Sequence, residues 1–150
     1  MFIQNKEKMK ICIQKISNKN KKIAENFRKR EWKKFNKEKG YKWDEKKYSF
    51  IATDNKKIIG FVDFKTVGGA AYLKQLIVSK ESRRAGMGDL LIKKFEDIAK
   101  KNKCHLAYLE TSEKHKEALR FYKKHGYKNI AKLKNNKFHF VWYFLAKNLK

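Results

Sequence analysis

At 150 residues the chain has room for one core, and 41% hydrophobic and 14% aromatic residues argue against disorder. Forty Lys and Arg against fifteen Asp and Glu leave a formal charge of +25, and the absence of proline excludes collagen-like and proline-rich segments. No apolar run approaches the ~20 residues of a membrane-spanning helix, and residues 1–10, although rich in Lys, lack the apolar stretch of a signal peptide.

These features lead us to expect a cytoplasmic protein without membrane attachment, one domain over about 9–147 and a short Lys-rich extension over 1–8. Cys12 and Cys104 read as small hydrophobes in apolar, strand-like stretches rather than as a disulfide. Only five of the forty basic residues are Arg, and the Lys are spread along the chain. Nucleic-acid readers favour the bidentate guanidinium, so the charge reads first as a solvated Lys surface. An anionic partner such as RNA, DNA or an acidic protein is the alternative.

In chain order, residues 9–16 (MKICIQKI) alternate apolar and polar and predict a strand. Ser17 and Asn18 offer a cap for a helix over 21–37, which Gly40 ends. Residues 41–47 read as loop or a short second helix. Strands over 48–53 and 57–66 follow, with Asp54-Asn55 as the hairpin signal. Gly68-Gly69 then turns the chain into a third strand, 70–78 (AAYLKQLIV), completing a meander.

A Gly-containing loop over 79–88 leads to an amphipathic helix. Its stripe is Met87, Leu90, Leu91, Phe95, Ile98 and Ala99, and Glu96–Lys100 and Asp97–Lys101 are i,i+4 pairs. Residues 104–110 predict a strand, and Ser112 a cap for a helix to His125, where Gly126 supplies a left-handed residue. Two last strands, 127–133 and 138–146, flank Asn135-Asn136. The alternating aromatics from Phe138 to Leu145 read as core rather than as a base-stacking platform.

The informative segment is the strand ending Leu76-Ile77-Val78 and the turn Arg83-Arg84-Ala85-Gly86-Met87-Gly88-Asp89 that opens a helix. Unpaired amides at a helix start, glycines that admit a ligand to the backbone and two Arg together suit a phosphate. The glycine spacing is neither that of a Rossmann turn nor that of a P-loop. The second constellation is Ala118-Leu119-Arg120-Phe121-Tyr122-Lys123-Lys124-His125-Gly126-Tyr127. Cys104, His105, His115 and His125 lack metal-ligand spacing, and Cys104 lacks a helix start that would activate a thiol, so we expect neither a metal site nor a cysteine nucleophile.

Arg83-x-x-Gly86-x-Gly88 after an apolar strand, and Ala118-x-x-Phe121-Tyr122-x-x-x-Gly126-Tyr127, resemble the two signatures of the GNAT superfamily of N-acetyltransferases. The resemblance covers the chain from about Met9. It implies an α+β fold: a mostly antiparallel mixed sheet of about six or seven strands, splayed between the strand ending at Val78 and the strand 104–110, with about four helices. It implies acetyl-CoA as co-substrate in the splay, with Leu76, Ile77 and Val78 offering backbone groups to the pantetheine arm and Arg83, Arg84, Ala85, Gly86, Met87, Gly88 and Asp89 around the pyrophosphate. His115 stands where many members carry a cofactor-contacting Asn.

Tyr122 matches the residue that protonates the departing thiolate, a role that suits a phenol neutral at pH 7. Many members place a basic Glu on the strand before the phosphate loop, where this chain has Lys74 and Gln75. Glu110 is the candidate base instead, resembling the Glu of bacterial enzymes that acetylate ribosomal-protein N-termini; Asp63 is the alternative. The implied activity is acetyl transfer to a primary amine by direct attack, in a monomer or homodimer. A cofactor-binding relative without catalysis and a polyanion-binding protein on the same fold are the other readings.

Overall fold

The structure, a computed structural model, describes residues 12–150, which form two compact units dividing after Tyr41. The first unit holds helix α1 (Lys21–Lys39). Its N-cap is Asn20, not the expected Ser17 or Asn18, and the Asn20 Oδ1 accepts the Ser17 amide at 2.7 Å. Gly40 ends the helix at φ 71°, and the Tyr41 amide reaches back to the Asn36 carbonyl at 2.9 Å. A left-handed residue there lets the last carbonyls find donors, as the sequence predicts.

The strand predicted over 9–16 does not form where it is described. Residues 9–11 lie outside the described residues, and 12–16 carry no strand, with Ile13 95% exposed. Alternation alone does not make a strand; a neighbouring strand and a buried face must complete it.

The second unit runs from Lys42 to Lys150. Residues 41–45 are neither helix nor strand, so no second helix forms before β1 (Lys46–Asp54). β1, β2 (Lys57–Val67) and β3 (Ala70–Val78) make the expected antiparallel meander. The first turn is Asn55-Lys56, one residue beyond the predicted pair, with both residues at positive φ; Gly68-Gly69 makes the second in the same way. Two consecutive positive φ values match the right-handed twist of the strands they join.

α2 (Met87–Lys101) follows, then β4 (Leu106–Ser112), α3 (Lys116–Lys124), β5 (Lys128–Leu133) and β6 (Trp142–Asn148). The sheet order is β1-β2-β3-β4-β6-β5, with β3–β4 the parallel pair. The described residues thus form the expected α+β fold, with six strands and three α-helices.

The core lies on one face of the sheet. β2 buries Val62, Phe64 and Thr66, β3 Ala71 and Leu73, and β4 Ala107 and Leu109, all from alternate positions. α2 covers them with Leu91, Ile92, Phe95 and Ala99. Each large side chain so buried contributes roughly 1.5–3 kcal/mol. Leu90, placed in the predicted stripe, is 62% exposed, and Ile92 takes its place.

The helix charges also pair differently from expectation. Asp97 pairs with Lys93 at 2.8 Å, and Glu96 reaches across to Lys147 of β6 at 2.8 Å while accepting the Tyr127 hydroxyl. A partner fixed by the fold displaces the local one. Two further boundaries shift. Cys104 is buried just before β4 rather than within it, and before β6 Phe138 lies in a 3-10 turn that the extended Phe140 ends.

Candidate active site

The cleft begins with a fault in β3. Phe64 of β2 sits opposite Leu73 and Asp63 opposite Gln75, so Lys74 is an extra residue. Such a bulge bends its strand and raises the local twist. β3 and β4 pair only at Ala70–Leu106, Ala71–Ala107 and Tyr72–Tyr108. Beyond Leu73, β3 keeps only β2 as a neighbour, and beyond Tyr108, β4 keeps only β6. The expected splay therefore lies where the sequence places it, and Leu76, Ile77 and Val78 form one lip of a cleft of about 950 Å³.

The floor is the start of α2. Gly86 is its N-cap at φ 77°, and Arg84 before it is also left-handed at φ 66°. The first amide of α2 with a close backbone acceptor is Leu90, bonded to the Gly86 carbonyl at 3.1 Å. The amides from Arg84 to Asp89 make no close backbone hydrogen bond among the described residues and can turn to an anion, reinforced by the positive end of the helix dipole. A Cβ added to Gly86 would meet nothing within 4 Å, so it would stand in the open cleft. A Cβ on Gly88 would lie 3.0 Å from Phe121 Cε2. The first glycine keeps the cradle open, and the second lets α3 pack against it.

Of the residues assigned to this site, Leu76, Ile77, Val78, Arg83, Arg84, Gly86, Gly88, Asp89, His115 and Tyr122 line the cleft. Ala85 and Met87 do not. Arg83 is held: its Nε donates to the Val78 carbonyl at 3.3 Å, and its Nη1 lies 3.8 Å from Glu117 of α3. Asp89 faces α3 from the other side, with His125 Nε2 at 2.6 Å and Lys124 Nζ at 3.7 Å. These contacts fasten α3 over the cradle. His115, rather than Ser112, occupies the N-cap position of α3, and its Nδ1 lies 3.5 Å from Thr111 Oγ1. Ser112 instead accepts the Lys114 amide through Oγ, because β4 runs to Ser112 and the helix starts later.

Tyr122 is the one buried side chain of α3, 8% exposed. Burial pushes its hydroxyl pKa up to about 12. The hydroxyl has no hydrogen-bond partner among the described residues, yet it is not a sealed unsatisfied atom, and the residue lines the cleft. It presents a neutral proton donor to that space. Gly126 at φ 85° ends the helix as predicted, with Gly126 N to Lys123 O at 3.0 Å and Tyr127 N to Tyr122 O at 3.0 Å.

Glu110 does not line this cleft. It lies on β4 two residues past the last pair with β3. Its Oε1 accepts the Tyr72 hydroxyl at 3.3 Å and the Lys137 ammonium at 2.6 Å, and no partner engages Oε2. Asp63, the alternative, has both oxygens engaged, by Ser49 Oγ at 3.0 Å and Lys74 Nζ at 3.3 Å. Lys114, Lys116, Phe121 and Lys124 also line the cleft. In a chain so rich in Lys, nothing local in the sequence distinguishes the three lysines. No cluster of metal-ligating side chains occurs among the described residues. Burial, aided by Asp44, raises the Cys104 pKa, which keeps it a thiol.

A parallel pair of strands splays over a helix start that can take an anion, with a phenol at the side of the cleft. Residues 17–127 match the sequence profile of the Acetyltransferase (GNAT) family, and the chain belongs to that family. The fold is shared with solved structures. An acetyltransferase from Bacillus cereus ATCC 14579 superposes with a TM-score of 0.75 at 24% identity, over 93% of this chain and 98% of that one. An acetyltransferase from Bacillus anthracis str. Ames in complex with acetyl coenzyme A gives 0.64 at 25% identity, over 68% and 62%. The ribosomal-protein-S18-alanine N-acetyltransferase from Escherichia coli gives 0.64 at 20% identity, over 69% and 70%. No curated protein matches the chain in sequence. Among the described residues no helix is long and apolar enough to cross a membrane.

Proposed function

We propose that the protein transfers an acetyl group from acetyl-CoA to a primary amine by direct attack, without an acyl-enzyme. Acetyl-CoA is the co-substrate of the family to which the chain belongs. The observation that carries the reading is the run of amides from Arg84 to Asp89 with no close backbone acceptor, at the foot of the splay beside the cleft-facing Tyr122. Those amides would hold the pyrophosphate, and Arg83 and Arg84 would add charge. The unpaired edge at Leu76, Ile77 and Val78 would hold the pantetheine arm as an extra strand would be held. Glu110, through its free Oε2, would take the proton of the incoming ammonium. Tyr122 would give its proton to the departing sulfur, and its raised pKa keeps that proton in place at neutral pH.

The family match spans both structural units, which supports one N-acetyltransferase domain over about 9–147. Two free cysteines are compatible with a cytoplasmic location, as a monomer or homodimer. Thiol release from acetyl-CoA, followed across a panel of primary amines and peptide N-termini, tests the reading. Amine-dependent release supports it, and release no faster than from acetyl-CoA in buffer with every amine contradicts it.

A further inference from the structure

Glu110 is already holding an amine. The Lys137 ammonium lies 2.6 Å from its Oε1 and 4.5 Å from the centre of the Trp142 ring. Tyr72 donates to the same carboxylate oxygen at 3.3 Å. A carboxylate and an aromatic face together recognise an alkylammonium better than either alone. Glu110 is 21% exposed, and Lys137 52%. The carboxylate is thus mostly enclosed, while the amine approaches it from outside.

The backbone that delivers Lys137 is strained and fastened. Phe138 has a φ of 59°, unusual for a side chain of its size, and Asn135 and His139 beside it are also left-handed, at 52° and 59°. Trp142 Nε1 donates to the Lys137 carbonyl at 3.1 Å, and His139 Nδ1 lies 2.8 Å from Asn135 Oδ1. An ordinary exposed ion pair contributes at most ~1 kcal/mol and needs no such scaffold. The same indole both anchors the loop and carries the ammonium.

We propose that Lys137 is an acceptor in cis, so that the enzyme acetylates its own Lys137 side chain. This rests on Glu110 and Tyr122 acting as read above. Lys137 Nζ gives a proton to Glu110, and its lone pair forms the N–C bond to the acetyl carbonyl carbon. The C–S bond of acetyl-CoA breaks, the sulfur leaves as the thiol with the Tyr122 proton, the second proton lost by the nitrogen returns to Tyr122, and Glu110 passes the first to water. The products are acetyl-Lys137 and coenzyme A. Acetylation removes the charge that binds Lys137 to Glu110 and Trp142, which opens the carboxylate to an external amine.

The test incubates the full chain with acetyl-CoA and no other acceptor, and follows each lysine by intact mass and peptide mapping. Lys137 should gain one acetyl group ahead of the other lysines, with a first-order rate constant independent of protein concentration. Glu110→Gln and Tyr122→Phe should slow this on the order of 10²-fold, and Lys137→Arg should leave no dominant site. A Lys137 that stays unmodified in protein that binds acetyl-CoA and acetylates an external amine overturns this inference alone. So does a rate at Lys137 that rises with protein concentration or is unchanged in Tyr122→Phe. Protein that fails to bind acetyl-CoA overturns the proposed function and this inference with it.

Discussion

Replacing Gly86 by Val separates the cost of backbone strain from the cost of closing the cradle. Gly86 stands at φ 77°, where a side-chain-bearing residue loses about 1–2 kcal/mol and a β-branched one tends to the upper end. At roughly 2–4 °C per kcal/mol for a chain of this size, Tm should fall by about 2–8 °C. The protein stays folded, because the new Cβ meets no atom within 4 Å. Binding should suffer far more. The added methyls occupy the space in front of the amides between Arg84 and Asp89. Losing two hydrogen bonds to a charged phosphate removes about 3–6 kcal/mol, or roughly 10²–10⁴-fold in affinity. Calorimetric titration with acetyl-CoA measures the loss, and thermal unfolding measures the strain. Gly86→Ala, with the same φ and a smaller side chain, should show similar strain and a smaller loss. A folded Val variant that binds acetyl-CoA as tightly as the wild type would refute the placement of the phosphates on this turn.

Other outcomes follow from single contacts. The Tyr122 pKa, raised to about 12, favours the neutral phenol in the folded state, so its stabilising contribution is complete below pH 10 and is lost as pH rises towards 12. Measured by urea unfolding, the stability of the wild type relative to Tyr122→Phe should therefore fall between pH 10 and 12; a constant difference contradicts the assignment. If Glu110 is the base, Glu110→Gln should lower kcat/KM on the order of 10²-fold and abolish its fall at low pH, whereas an intact acid limb would redirect attention to Asp63 or water. Duplex DNA should bind the +25 surface without sequence preference and be released steeply between about 50 and 200 mM salt. Sequence-selective, sub-micromolar retention near 150 mM would make nucleic acid a partner.

What could be read in the sequence was what local chemistry dictates. The meander, the strand 70–78 with its termini, the left-handed turn at Gly126 and the turn at Gly86 all follow from patterns within a few residues. The family resemblance rested on the two turns that hold the cleft together, and the structure brings their residues to one space. What stayed hidden depends on neighbours far along the chain. The bulge at Lys74 exists only in the register of β2 against β3, and nothing in Leu73-Lys74-Gln75 announces it. Glu96 offers Lys100 a helical partner, yet it pairs with Lys147, 51 residues away. Lys137 is one of many lysines in sequence and becomes distinct only when β6 sets Trp142 beneath it and β4 brings Glu110 to it.

Tyr122 as the proton donor of an acetyl transfer in this cleft is tested by steady-state thiol release from acetyl-CoA by wild type and Tyr122→Phe, with one amine that the wild type accepts and with acetyl-CoA affinity measured alongside. In the variant kcat should be lower on the order of 10²-fold, with acetyl-CoA binding nearly unchanged, because the proposed role of the phenol hydroxyl is at the leaving sulfur and not at the bound phosphates. Equal turnover by the two proteins would make Tyr122 a packing residue and contradict the mechanism.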